Sequence, residues 1–595
     1  MNEVVFCLSR LFSLAWSLDR RRFVAGAGLL LAGAVATPVI GLASGRLVDA
    51  VHASAGDAAG HAVGWGLVLA IALVGELMLG HFAHLYYFEL AELTEERFNR
   101  DLLQIVNGSP YLDQTDDPAF ADRVDLLRQD VMQMRTTVQF GLQLGATAVQ
   151  ILLTAVLLVT LSPWLLLLLA AAAVPVVVGK RAEARFQATR EEQATTTRGI
   201  RHLRRLATSP ASQKEIRLSG GGGYLLGRQR TLLEAYGTAM ARADRRYALL
   251  RGAGQLAFGV AYVGAVVWAF ELARQGRASA GDVVLIVVLA TQLSGQMANG
   301  VELLGSVHRA AAGLRRFIAL RAEQDAHADG RQGIALDGER GRGLRLEALR
   351  FRYPGAQADV LCGIDLELPG GASVAVVGEN GAGKSTLLKL LTGLYRPTAG
   401  RILVDGADLA GLSPDAWRQR TAALFQDFAR VELALRDSVG IGDLTHVDQD
   451  AGVRGALVRA RADELGETIG LDAVIGSGYA DGRDLSGGQW QTVGFARTLM
   501  RTTPLLLVLD EPASALDALA EQRLVDAYQE TAREVAATVG GVTVFVTHRL
   551  STVRLADHIV VLDAGTVAEQ GTHEELLAAG GRYAQLWAMQ ARAYS

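Results

Sequence analysis

The sequence predicts a two-part protein: an all-α membrane domain of six helices with long cytoplasmic extensions, followed by an α/β domain built around a phosphate-binding loop. Three observations carry this. Half of the 595 residues are hydrophobic and the mean hydropathy is +0.22, as expected when a membrane portion is diluted by a soluble one. The long apolar runs all lie before residue 307. From Leu344 onward short apolar segments alternate with helical ones, and one of them, Val374 to Val377, runs into Gly378-Glu379-Asn380-Gly381-Ala382-Gly383-Lys384-Ser385-Thr386. The net charge of −4 includes no dominant basic patch, so nucleic acid is not an expected partner. Cys7 and Cys362 stand far apart, which supports neither a disulfide framework nor a zinc site.

In chain order, residues 1–22 read as an interfacial helix. Val4, Leu8, Leu11, Phe12 and Trp16 recur at helical spacing, and Arg20-Arg21-Arg22 follow the apolar run, whereas a secretory signal carries its charge first. Residues 23–320 form the membrane domain. Runs at 23–50, 62–89, 138–161, 164–180, 250–273 and 281–306 are each long enough for ~30 Å of hydrocarbon. The loop from Ala50 to His61 and the Ser162-Pro163 turn hold no lysine or arginine and are expected outside. The arginine-rich stretches 97–135 and 180–251 are expected inside, with both chain termini. Arg274 and Arg277 in the fifth connection depart mildly from that rule. Each internal stretch reads as helix broken at Ser109-Pro110, Asp116-Asp117-Pro118 or Ser209-Pro210, where short transverse helices could dock on a soluble domain. Glu76 sits within Ile71 to Leu79, where an ionisable group is costly and faces a cavity or a partner. His84 lies on roughly the same helical face, so Glu76 and His84 are the candidate lining of a substrate cavity. Gln143, Gln150, Gln292, Gln296 and Asn299 are expected mainly to bond between helices.

Residues 321–343 are charged and glycine-punctuated, a linker, and 344–595 form the α/β domain. Strands are expected at 344–351, 372–377, 401–404, 421–424, 505–509 and 542–546. The Gly378 to Thr386 run has the spacing of the P-loop: backbone N–H groups close around phosphates at a helix start, Lys384 adds a charge near the β- and γ-phosphates, and the Ser385 hydroxyl serves a magnesium ion. The apolar run Leu505 to Leu509 delivers Asp510 and Glu511. Asp510 suits magnesium, and Glu511 suits polarising an attacking water. Leu485-Ser486-Gly487-Gly488-Gln489 opens a further helix and offers a second anion site.

That last run, with the P-loop and the Asp510-Glu511 strand, resembles an ATP-binding cassette (ABC ATPase) domain over about residues 344 to 580, and the fused six-span half resembles an ABC exporter half-transporter. The resemblance implies a P-loop NTPase fold, ATP and Mg2+, and further site residues. Tyr353 would stack on adenine. Gln426 would contact magnesium or the attacking water, and His548 would lie near the γ-phosphate. Asp517, in Ser514-Ala515-Leu516-Asp517, would belong to a loop exchanged across a dimer. Ser486, Gly487, Gly488 and Gln489 would face the P-loop of a second chain. A homodimer in a lipid bilayer is implied, with a heterodimer left open, and so is export of an amphipathic solute: a peptide, lipid or drug-like compound. Uptake on the same fold, for example of a metal chelate, and an ATP-gated regulator without a transported substrate stay open. Trp490 stands where the family usually has a basic residue and is expected to alter packing between cassette and membrane domain.

Overall fold

The computed structural model describes every residue except 1, 54–57, 329–333, 335–340, 480, 512–517, 548 and 595. It resolves into two compact units: Met1–Asp101 with Leu126–Ile318, and Leu102–Asp125 with Ala319–Ser595.

The first unit is helical. Helix α1 (Asn2–Leu18) leads through Asp19 into α2 (Arg20–His52), and the Asp19 carboxylate accepts from the Arg22 N–H at the helix start. The chain continues through α3 (Ala58–Val106), α4 (Pro118–Arg135), α5 (Thr137–Leu161), α6 (Leu167–Glu192), α7 (Ala194–Thr208), α8 (Pro210–Leu218), α9 (Gly222–Arg274) and α10 (Ala280–Ala328). Among the described residues six helices are long and apolar enough to cross a membrane. The apolar windows are only parts of these helices. The 53 residues of α9, at about 1.5 Å each, extend far beyond a bilayer core of ~30 Å, so the arginine-rich remainder has to leave the hydrocarbon.

Spans α5, α6, α9 and α10 share a core around Leu158, Leu168, Phe258, Ile286, Leu289 and Leu293. Helices α2 and α10 meet through glycine: a Cβ on Gly281 would lie 2.1 Å from the Gly45 carbonyl oxygen, the close backbone approach that small residues permit in membranes. Asp49 then accepts from the Gly281 N–H at 2.7 Å and from the Ser279 hydroxyl at 2.8 Å, closing the start of α10. The Ser209-Pro210 break yields the short helix α8. The Ser109-Pro110 break yields turns instead, with Asp116 N–H bonding Leu112 O at 3.0 Å before α4 begins at Pro118.

The second unit contains two sheets. The four-stranded one has the order β2-β1-β4-β5, from β1 (Gly343–Phe351), β2 (Leu361–Pro369), β4 (Ala399–Val404) and β5 (Ala407–Asp408). The six-stranded one has the order β10-β9-β3-β8-β7-β6, from β3 (Ser373–Val377), β6 (Thr421–Leu424), β7 (Leu506–Asp510), β8 (Val542–Val546), β9 (His558–Asp563) and β10 (Thr566–Gly571). Every pairing in the larger sheet is parallel except that of the edge strand β10. Strand β3 is covered on both faces, with Val374 and Val376 in one core and Ala375 and Val377 in the other, which is why it reads as an unbroken apolar run. Strands β2, β5, β9 and β10 add to the strands expected from sequence. Trp490 is 1% exposed in the core beneath the larger sheet. It is a packing residue inside this unit, and the expectation that it acts on the membrane domain is corrected.

Candidate nucleotide site

The site is built where the central parallel strands end. Strand β3 stops at Val377, the loop turns, and α11 (Lys384–Leu391) begins. Gly383 caps this helix with φ +99°, a conformation L side chains avoid. A Cβ there would also lie 2.6 Å from Leu361 Cδ2, and one on Gly378 would lie 2.3 Å from the Leu562 carbonyl oxygen. The glycines are therefore required by backbone conformation and by space. The Ala382 N–H bonds the Glu379 carbonyl at 3.2 Å, and Lys384 Nζ donates to the carbonyls of Gly378 and Glu379 at 2.8 and 2.9 Å, curling the loop over the helix start. The Glu379 side chain pairs outward with Arg582 at 2.6 Å. Asn380 and Gly381 stand at the exposed tip. Burial pulls the Lys384 ammonium below its ordinary pKa, opposed by the charges of Glu511 and Asp510.

Two strands away from β3, β7 brings Asp510 to the same edge, 3% exposed. Burial raises its pKa, while a hydrogen bond from the Ser385 hydroxyl and the charge of Lys384 act the other way. Ser385 and Asp510 thus meet as hard oxygen donors beside the loop, a set that suits Mg2+. Glu511 follows with φ +46°. Its N–H bonds the Val546 carbonyl at 3.0 Å, and Gln426, just beyond β6, donates its Nε2 to Glu511 Oε2 at 3.0 Å. Lys384, Ser385, Asp510, Glu511 and Gln426 therefore converge. Loop amides, an ammonium, the buried Asp510 carboxylate and the half-buried Glu511 in this order fit a phosphate chain with its metal ion.

Tyr353 stands on the far side of α11. Its hydroxyl lies 3.0 Å from Thr386 Oγ1, and its ring packs edge-on against Phe351 and Tyr395 at 4.9 and 5.4 Å. Ser486 caps the helix Gly487–Leu499 in a capping box: Gln489 N–H donates to Ser486 Oγ at 3.2 Å, and Ser486 N–H to Gln489 Oε1 at 2.9 Å. Ser486 and Gln489 are exposed, and among the described residues no hydrogen bond joins this run to the chain's own P-loop. His548 and Asp517 lie outside the described residues.

Glu76 and His84, both on α3, have different partners. The Thr37 hydroxyl donates to Glu76 Oε1 at 2.6 Å, and Gln292 Nε2 reaches the Thr37 carbonyl at 3.5 Å. Two helical turns on from Glu76, His84 Nδ1 lies 2.8 Å from the Tyr87 hydroxyl. Gln296 pairs with Thr154 and Asn299 with Thr147, both at 3.4 Å, the expected bonding between helices.

Sequence reasoning did not find the residues that receive the first internal loop. Within the second unit the Leu112 N–H bonds the Leu394 carbonyl at 2.9 Å, and the Arg396 guanidinium lies 4.4 Å above the Tyr111 ring. The Tyr395 hydroxyl donates to Asp116, and Arg418 to the Pro110 carbonyl. Burial and the Asp116 charge push the Tyr395 pKa upward. Gln114 also meets Gln324 here. The prolines marked the loop, but no pattern marked its seat.

The family model described as "ABC transporter" matches residues 361–514. The chain is 34% identical over 339 residues to the ATP-dependent lipid A-core flippase of Chromohalobacter salexigens, covering 56% of each chain. It is 36% identical over 340 residues to the mycobactin import ATP-binding/permease protein of Mycolicibacterium thermoresistibile, covering 57% of this chain and 55% of that one. The chain spans between 36% and 64% of the length of the curated relatives it matches. A solved structure of a bacterial Atm1-family ABC exporter with ATP bound aligns with a TM-score of 0.77 and 25% identity, over 97% of this chain and 99% of that one.

Proposed function

We propose that this chain, which matches the ABC transporter family model over residues 361–514 and aligns along its length with an Atm1-family ABC exporter, is an exporter-type half-transporter, six membrane-length helices fused to an ATP-binding cassette, that couples ATP binding and hydrolysis to export of an amphipathic solute. The convergence of Lys384, Ser385, Asp510, Gln426 and Glu511 at one sheet edge, in a chain with six membrane-length helices, carries the proposal.

The loop N–H groups and Lys384 hold the phosphates of ATP, and Tyr353 supplies the aromatic face beside α11. Ser385 and Asp510, with Gln426 near, would hold Mg2+, which would supply charge stabilisation for the transferred phosphoryl group. Glu511, oriented by Gln426, accepts a proton from the attacking water. Under the resemblance His548 stands by the γ-phosphate and Asp517 by the second chain. Ser486 to Gln489 present a helix start to an anion that their own P-loop does not supply, and this supports a dimer with two nucleotides between two cassettes. A homodimer satisfies the requirement because Glu511 and the Leu485 to Gln489 run are both intact in one chain. Closure of the sandwich draws the internal loops together and reorients the membrane cavity, and hydrolysis reopens it. Lipid covers apolar surface such as Leu67, Ile71, Val74 and Leu77, each more than half exposed. The chain sits in the cell membrane with both termini cytoplasmic.

Glu511→Gln is expected to keep ATP binding and nearly abolish hydrolysis, trapping a closed dimer; wild-type turnover in this variant would refute the assignment. Sealed inside-out vesicles carrying the wild-type chain should accumulate solute on addition of ATP. The relative named for mycobactin import favours uptake as the second reading, and accumulation only in right-side-out vesicles loaded with ATP would select it. ATP hydrolysis without movement of any solute across a broad panel would select a regulator instead.

A further inference from the structure

One face of the helix Gly487–Leu499 leans on the ends of β6 and β7, and its contacts follow helical spacing: residues 491, 494 and 498 form a single stripe. Gln491 is 4% exposed, and its Nε2 reaches the Glu511 carbonyl oxygen at 3.4 Å. At Gly494 the helix approaches so closely that a Cβ would lie 3.0 Å from Phe428 Cδ2. The Thr498 hydroxyl donates to the Ala423 carbonyl at 3.2 Å, and Arg497 donates to the carbonyls of Ala429 and Ser438 at 2.9 and 2.7 Å. The segment that carries Gln426 is thus held from Ala423 to Ala429 by the same helix that touches the backbone of Glu511.

Glu511 has a reason to be held. Its φ of +46° is a conformation that a non-glycine residue keeps only when its surroundings impose it. Its N–H is tied to Val546 on one side, and its carbonyl meets Gln491 on the other. Between those two anchors the carboxylate is aimed at Gln426. We propose that Gln491 is a positioning residue that holds the Glu511 peptide in register with Gln426 and so links this chain's own hydrolytic group to the helix whose start, Ser486 to Gln489, faces the partner's nucleotide. This rests on the reading of Glu511 and of Ser486 to Gln489 given above. A nucleotide seated in one site then bears on the geometry of the other through a single rigid helix, with no loop between them.

The test uses the full-length protein in lipid nanodiscs, with ATP turnover and nucleotide affinity measured separately. Gln491→Met keeps the volume and removes the donor. It should lower kcat by about tenfold, the scale of a misplaced catalytic group, while nucleotide Kd stays within about twofold, since no phosphate contact is lost. Gln491→Asn keeps an amide one methylene short and should fall between the two, and it carries the test if the methionine variant does not fold. Because both residues act through Glu511, the kcat losses of Gln491→Met and Gln426→Ala should be less than multiplicative in the double variant. An unchanged kcat, parallel losses of kcat and affinity, or fully multiplicative losses would each overturn the proposal. Wild-type turnover of Glu511→Gln would instead overturn the underlying reading, so the two failures are distinguishable.

Discussion

Gly383→Ala subjects the P-loop to two separate penalties. The φ of +99° places an L residue in the left-handed region, at roughly 1–2 kcal/mol. The new Cβ would lie 2.6 Å from Leu361 Cδ2 and 3.2 Å from the Val360 carbonyl oxygen, and because Leu361 is 0% exposed it has nowhere to move, which adds about 1–3 kcal/mol of overpacking. The sum, ~2–5 kcal/mol, should lower the melting of the nucleotide-free cassette by roughly 4–20 °C. Gly381 provides the control: its φ is +85°, yet a Cβ there meets nothing within 4 Å. Gly381→Ala therefore carries only the backbone penalty, about 1–2 kcal/mol. Differential scanning fluorimetry of the purified chain without nucleotide compares the two. Leu361→Val, which shortens the blocking side chain, should recover part of the Gly383→Ala loss in the double variant. Equal shifts for the two glycine variants, or no recovery with Leu361→Val, would refute the steric account.

Glu76→Gln keeps an acceptor for the Thr37 hydroxyl, which now bonds Glu76 Oε1 at 2.6 Å, and removes only the charge. Substrate-stimulated ATPase should change more than basal ATPase, and equal effects on both, or none, would return Glu76 to a structural role. Tyr395→Phe deletes the hydroxyl that donates to Asp116 and leaves the buried ring packed against Phe351 and Tyr353. Losing this bond to an exposed carboxylate should weaken seating of the 110–116 loop by about 0.5–1.5 kcal/mol. The readout is a fall in substrate-stimulated ATPase with basal ATPase retained; equal stimulation in variant and wild type would show that this contact carries no coupling.

Much of the architecture is legible from order along the chain. The six spans, the strand before the P-loop and the strand before Asp510 are continuous apolar runs, because a helix in lipid and a parallel strand covered on both faces bury side chains in every direction. The P-loop is legible because its chemistry is local: its glycines, Lys384 and Ser385 act on one ligand from adjacent positions. Strand β10, at the antiparallel edge of the larger sheet, alternates half-buried and exposed residues and gives a weaker signal for the same physical reason.

What sequence alone determined, then, is the class of the chain, its two-part order and the residues whose neighbours in sequence are also their neighbours in space. Tertiary structure alone decided that Trp490 is core, that Gln426 meets Glu511 from 85 residues away, that Gln491 reaches the Glu511 carbonyl, and that Tyr395 receives Asp116 across 279 residues. Those contacts join side chains from separate strands and loops through the register of a folded sheet. No local periodicity encodes such a meeting, because it comes into being only when the strands between them have packed.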